Sequence, residues 1–143
     1  MPHDLMLKAM NGVHRLVLQV TGGRVGYEAM GMPVLELTTV GRRSGQPRSV
    51  MLTSPLTHDG HLVVVASRGG DDTHPAWFVN LRAEPDVEVS LQGGPKEPMT
   101  ARVATARERA ILWPEITERH PNYAGYQKRT EREIPLVLLE PRT

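Results

Sequence analysis

The chain has 143 residues, no cysteine and a formal net charge of +1. That length suits one domain with a real core. The missing thiols exclude disulfides, thiolate catalysis and cysteine-bound metals, and no apolar run approaches the ~20 residues that span a bilayer.

The first predicted element is an amphipathic helix over residues 4–20. Leu5, Met6, Ala9, Met10, Val13, Leu16, Val17 and Val20 recur at three- and four-residue spacing, and Gly22-Gly23 ends the pattern. Its apolar face packs on the domain, lies on a membrane surface or flanks a substrate entrance. Residues 1–24 are therefore read as an N-terminal helical unit and 25–143 as the main domain. Lys8, Asn11 and Arg15 interrupt any secretory h-region, so a cytoplasmic protein is expected, with peripheral membrane contact through this helix as the alternative.

Strands dominate the remainder of the chain. Residues 34–40, 48–57 and 61–66 are rich in β-formers, with Asp59-Gly60 as a hairpin turn between the second and third. Residues 87–91 and 99–104 read as another hairpin around Gly93-Gly94-Pro95, and 134–140 is an apolar run that suits a buried strand. Helices are predicted over 74–83, over 106–118 behind the capping box Thr105-x-x-Glu108, and over 123–129. This order lacks βαβ alternation, so the fold expected is mainly β, an antiparallel barrel with peripheral helices.

Two glycine-flanked loops follow apolar strands. Gly41-Arg42-Arg43-Ser44-Gly45-Gln46-Pro47-Arg48 sets three arginines within seven residues, and Ser67-Arg68-Gly69-Gly70 follows Leu62-Val63-Val64-Val65-Ala66. Arginine forks and free amides in turns suit an anion; the plainer reading is a solvated hairpin tip and an ordinary turn. Only Lys8, Lys96 and Lys128 among 17 basic residues are lysines. That bias suits oxyanions, although GC-rich coding produces it too. Trp77, Phe78 and Leu81 suit core packing on their helix, with Asn80 tying loop backbone. Tyr123 and Tyr126 share one helix face and offer phenols as donors, or fill a groove. The scattered histidines give no metal spacing, and neither a nucleophile elbow, a P-loop nor a dinucleotide fingerprint is present. The basic loops lack the interleaved aromatics of a nucleic-acid site, so none is expected.

The run Leu37-Thr38-Thr39-Val40-Gly41-Arg42-Arg43-Ser44-Gly45-Gln46-Pro47-Arg48 resembles the opening of the deazaflavin-dependent nitroreductase family. Ser67-Arg68-Gly69-Gly70, Pro75-x-Trp77-x-x-Asn80-Leu81, Pro85-x-Val87 and Ile134-Pro135-Leu136-Val137 are similar, in the same order. The resemblance implies a split β-barrel of the FMN-binding type and coenzyme F420, a deazaflavin with an acidic phospholactyl oligoglutamate tail. Arg42, Arg43, Ser44 and Arg48 would hold phosphate or tail, beside Gln46 and Pro47. Ala66, Ser67, Arg68, Gly69 and Trp77 complete the implied cofactor set, and Tyr126, Tyr123 and Ser67 the catalytic one. The implied activity is hydride transfer to a quinone, nitroaromatic or activated alkene. An FMN-binding reductase and a non-catalytic deazaflavin carrier are the alternatives, and such relatives are often homodimers. Thr53, Ser54 and His120 stand where some members carry aromatic residues, which implies a wider or more polar acceptor pocket.

Overall fold

The structure, a computed structural model, describes residues 28, 29 and 31–142. The helix expected over residues 4–20, its suggested membrane contact and the 1–24 boundary lie outside them. Eight strands form one antiparallel sheet: β1 (Glu28–Ala29), β2 (Met32–Val40), β3 (Pro47–Thr53), β4 (Leu56–His58), β5 (His61–Val65), β6 (Asp86–Leu91), β7 (Lys96–Val103) and β8 (Leu136–Pro141). Their order is β1-β2-β6-β7-β8-β5-β4, with β3 also paired to β2. The helices in this span are α1 (Ala76–Ala83), α2 (Ala106–Arg119) and α3 (Pro121–Lys128). The architecture is the mainly β, split-barrel type that the sequence implies, although the sheet does not close, since β3 and β4 do not pair.

The expected strand over 48–57 splits at Ser54-Pro55. Its first half pairs with β2 and its second with β5. Pro55 has no N–H for a ladder, and Ser54 makes the corner. The Ser54 N–H donates to Pro33 O at 3.1 Å, and its buried hydroxyl lies 3.0 Å from Leu56 O and 2.8 Å from Val63 O. Ser54 is thus a structural residue at 2 % exposure, and does not add polarity to an acceptor pocket.

Successive side chains of β5 and β8 enter different cores. Val64, Val137 and Leu139 join Trp77, Phe78 and Leu81 of α1, whereas Val63, Val65, Leu136 and Leu138 join Leu112, Ile116 and Tyr123 of α2 and α3. Burial on both faces explains the unbroken apolar run at the C-terminus. Each such side chain contributes roughly 1.5–3 kcal/mol by leaving water.

The capping box at α2 forms as its residues predict. The Glu108 N–H donates to Thr105 Oγ1 at 3.1 Å, and the Thr105 N–H to Glu108 Oε1 at 2.9 Å. Glu108 also takes a bidentate contact from Arg102, at 2.7 and 3.0 Å, while Arg102 reaches Glu140 of β8 at 3.1 Å. These bonds, Arg102 first and the Thr105 amide second, hold the Glu108 carboxyl down at about 2. Its ordinary value is 4.5, so the stabilisation is complete above that pH and is lost as pH falls toward 2. Glu108→Gln is expected to lower Tm near neutrality and to flatten the decline of Tm between pH 4.5 and 2; an unchanged slope in calorimetry would refute the linkage.

The register fixes which loops are neighbours. Val65 at the end of β5 faces Leu136 at the start of β8, and Val137 faces Val103 at the end of β7. Asp86, opening β6, pairs with Thr100, and Glu88 with Thr38 near the end of β2. Val40 in turn faces Pro47 at the start of β3. The segments after β2 and after β5 therefore leave the same end of the sheet. The turns at Asp59-Gly60 and Gly93-Gly94 lie at the opposite end.

Candidate active site

The loop after β2 is tied inward by its backbone. The Gly41 N–H donates to Gln46 O and the Gly45 N–H to Gly41 O, both at 2.8 Å, and the Gln46 N–H donates to Ser44 Oγ at 3.1 Å. Gly45 sits at φ +70°, in the left-handed region. Asn80 of α1 clips this loop to the core: its Nδ2 donates to Thr39 Oγ1 at 3.2 Å, and its Oδ1 accepts the Arg42 N–H at 3.3 Å. This is the loop-tying role expected of Asn80. The side chains of Arg42, Arg43 and Arg48 are exposed. Among the described residues no carboxylate lies within ion-pair distance of any of the three, and the Arg43 and Ser44 amides donate to no protein group. Cations and amides left without acidic partners on one rim are competent to take an anion.

The loop after β5 has a different character. Arg68, Gly69 and Gly70 follow one another at φ +46°, +65° and +85°, and a left-handed arginine is strained backbone. The Arg68 side chain, unlike those of Arg42, Arg43 and Arg48, is paired within its own loop. Its guanidinium is held by Asp71 at 2.7 Å, with both side chains largely buried. Ser67 is 9 % exposed, yet its hydroxyl has no hydrogen-bond partner among the described residues. A buried hydroxyl without a partner is costly unless something else satisfies it. Gly70 presses on α3: a Cβ there would lie 2.7 Å from Tyr126 O and 3.0 Å from Tyr126 Cα.

The two tyrosines separate. Tyr123 is 6 % exposed, and its hydroxyl donates to Met32 Sδ at 3.7 Å. Burial raises its pKa, against the pull of the nearby Thr53 hydroxyl. Tyr126 is half-buried, its ring meets Tyr123 edge-on at 6.0 Å, and its hydroxyl has no partner among the described residues. His120 continues the row, 6.3 Å from Tyr123. Trp77 is buried at 9 % in the core, edge-on to Phe78. Ala66 is fully buried and donates its N–H to Pro135 O at 3.0 Å. Gln46 and Pro47 lie exposed on the rim of the arginine loop.

Sequence reasoning missed Arg132, whose guanidinium reaches four acceptors. Nε donates to Asp71 O at 2.8 Å and Nη2 to Ser67 O at 2.9 Å, while Nη1 donates to Ala66 O at 3.2 Å and meets His74 Nδ1 at 3.0 Å. The one available signal was an isolated arginine two places before an apolar strand. A polar groove of about 510 Å3, lined by Asp72 and residues 128–132, opens on this side of the molecule.

The split-barrel-like sheet is the architecture of F420-dependent reductases. The model of the F420H(2)-dependent quinone reductase family matches residues 12–141, and the chain belongs to that family. It is 40 % identical over 132 residues to an F420H(2)-dependent quinone reductase of Mycobacterium tuberculosis, covering 89 % of this chain and 87 % of the relative. A solved F420-H2 dependent reductase, FDR-A, superposes with a TM-score of 0.65 at 38 % identity, over 76 % of this chain and 94 % of that one. A second structure, described as a domain-swapped dimer, gives 0.67 at 34 % identity over 98 % of this chain and all of the other. Membership makes the chain an oxidoreductase and assigns it coenzyme F420, the deazaflavin implied by the resemblance, in preference to FMN or to a carrier role. Among the described residues no helix is long and apolar enough to cross a membrane, and no cluster of metal-ligating side chains occurs.

Proposed function

We propose that the sheet end bearing both loops binds F420 and reduces a quinone there. The observation that carries this reading is the gathering, at one rim, of unpaired Arg42, Arg43 and Arg48 with a buried, unsatisfied Ser67 hydroxyl. These groups fit F420 chemically. Guanidinium forks match its phosphate and carboxylates, and the orphan hydroxyl suits a polar ring atom.

Reduced F420, when bound, supplies a hydride, because its ring carries carbon where a flavin carries the reactive nitrogen. Arg42, Arg43 and Arg48 anchor the acidic end, with the Arg43 and Ser44 amides beside them. Ser67 donates from the floor of the second loop. Tyr126 Oη, free of protein partners among the described residues, gives its proton to the reduced acceptor; Tyr123 is engaged by Met32 and Thr53 and instead buttresses the Tyr126 ring. Quinones fit as acceptors because a hydride and one proton together convert them to the hydroquinone. Nitroaromatics and activated alkenes present a similar electrophilic edge and form the secondary substrate class. By analogy with the domain-swapped relative, the chain assembles as a homodimer, which light scattering would test.

Tyr126→Phe is expected to lower quinone turnover about 10²-fold, the usual span for a lost proton donor, and to leave F420 affinity nearly unchanged. Steady-state kinetics with a quinone panel, beside fluorescence titration with F420 and with FMN, measures both. Equal turnover removes the tyrosine from the mechanism; tight FMN binding without F420 binding overturns the cofactor assignment.

A further inference from the structure

We propose that Arg132 is a positioning residue for the reductase site, holding the loop after β5, which carries Ser67, in shape against the helix that carries Tyr126. This role rests on the functional reading above but belongs to a side chain outside the proposed cofactor contacts.

Within the loop, side chains tie only its later part, through Arg68 and Thr73 on the Asp71 carboxylate. Its internal backbone bonds are Gly70 N–H to Ser67 O at 2.9 Å and Asp71 N–H to Arg68 O at 3.2 Å, across three consecutive left-handed residues. Arg132 arrives from the segment between α3 and β8, and places its planar fork across carbonyls on both sides of the strained turn. A lysine ammonium is a single point donor and cannot span that set. Gly70, inside the clamped span, packs on the backbone of Tyr126. The clamp therefore holds one span whose start carries Ser67 and whose end packs on the Tyr126 backbone.

The fourth acceptor makes the clamp sensitive to proton concentration. His74 Nδ1 meets Arg132 Nη1 at 3.0 Å, which requires that nitrogen to be unprotonated. Burial, then the charges of Arg132 and Arg82, lower the His74 pKa. The groups around the ring are Arg132 from the C-terminal segment, Arg82 and the Phe78 ring from α1, and the carboxylates of Asp71 and Asp72 near Arg132. Protonation would set an N–H against the guanidinium and loosen the loop. Asparagine, whose Oδ1 supplies an acceptor without titrating, separates the two effects.

The test is fluorescence titration with oxidised F420 from about pH 4.5 to 7.5, spanning the ordinary histidine range, with thermal melting alongside. Binding by the wild-type protein is the control for the functional reading: if none occurs, that reading fails. Given wild-type binding, Arg132→Lys is expected to weaken F420 at least tenfold near neutral pH while still melting cooperatively. The wild type is expected to lose affinity several-fold at the acid end, and His74→Asn to keep neutral-pH affinity and lose less on acidification. Native F420 affinity in Arg132→Lys overturns the proposal. Should Arg132→Lys fail to fold, His74→Asn decides: an acid decline identical to wild type overturns it.

Discussion

Replacing Arg42, Arg43 and Arg48 together with glutamine is expected to weaken F420 binding roughly a hundred- to a thousandfold and to leave Tm within a few degrees. Charge-assisted hydrogen bonds contribute about 1.5–3 kcal/mol each, solvent exposure trims that range, and every ~1.4 kcal/mol is tenfold in affinity. The stability half of the expectation follows from the side chains being exposed and without carboxylate partners among the described residues. Added salt should weaken the wild-type complex and affect the triple variant much less, because the screened charges are then gone. Undiminished affinity in the titration would move the acidic tail elsewhere and remove the principal support for the site.

Gly70→Ala is expected to cost about 2–4 kcal/mol of stability, or to displace the loop and abolish turnover in a protein that still folds. Two penalties coincide there. At φ +85° a side chain is strained, and the new Cβ would meet the oxygen and Cα of Tyr126, backbone atoms that cannot swing aside. Gly60, at φ +81° in a turn with nothing within 4 Å, isolates the first penalty. Gly60→Ala should therefore cost only about 1 kcal/mol. Urea unfolding of the pair measures the difference, and equal midpoints would show that the contact between the loop and α3 is soft.

The elements were legible wherever local chemistry decided them. The capping box at Thr105 and Glu108, the Gly93-Gly94 hairpin and the doubly buried apolar run of β8 all depend on residues close in sequence. The two loops were legible as turns because glycines follow apolar strands at both places, and the exposed arginines of the first are written directly in its sequence. The split at Ser54 was hidden, since it depends on which strands the two halves find. The Arg68–Asp71 pair was hidden for a related reason: whether it closes depends on a left-handed turn that composition alone does not reveal. Arg132 was invisible because carbonyl acceptors carry no residue signature. Tyr123 and Tyr126 looked equivalent by spacing, and only the placement of Met32 and Thr53 distinguishes them.

The far rim of the sheet, with its turns at Asp59-Gly60 and Gly93-Gly94, offers a practical handle. Tight surface turns of this kind tolerate insertions, and these sit a full strand length from the proposed site. A dye, an affinity tag or a tether to a second enzyme grafted there should leave catalysis running, so that the protein can be immobilised with its working mouth facing outward.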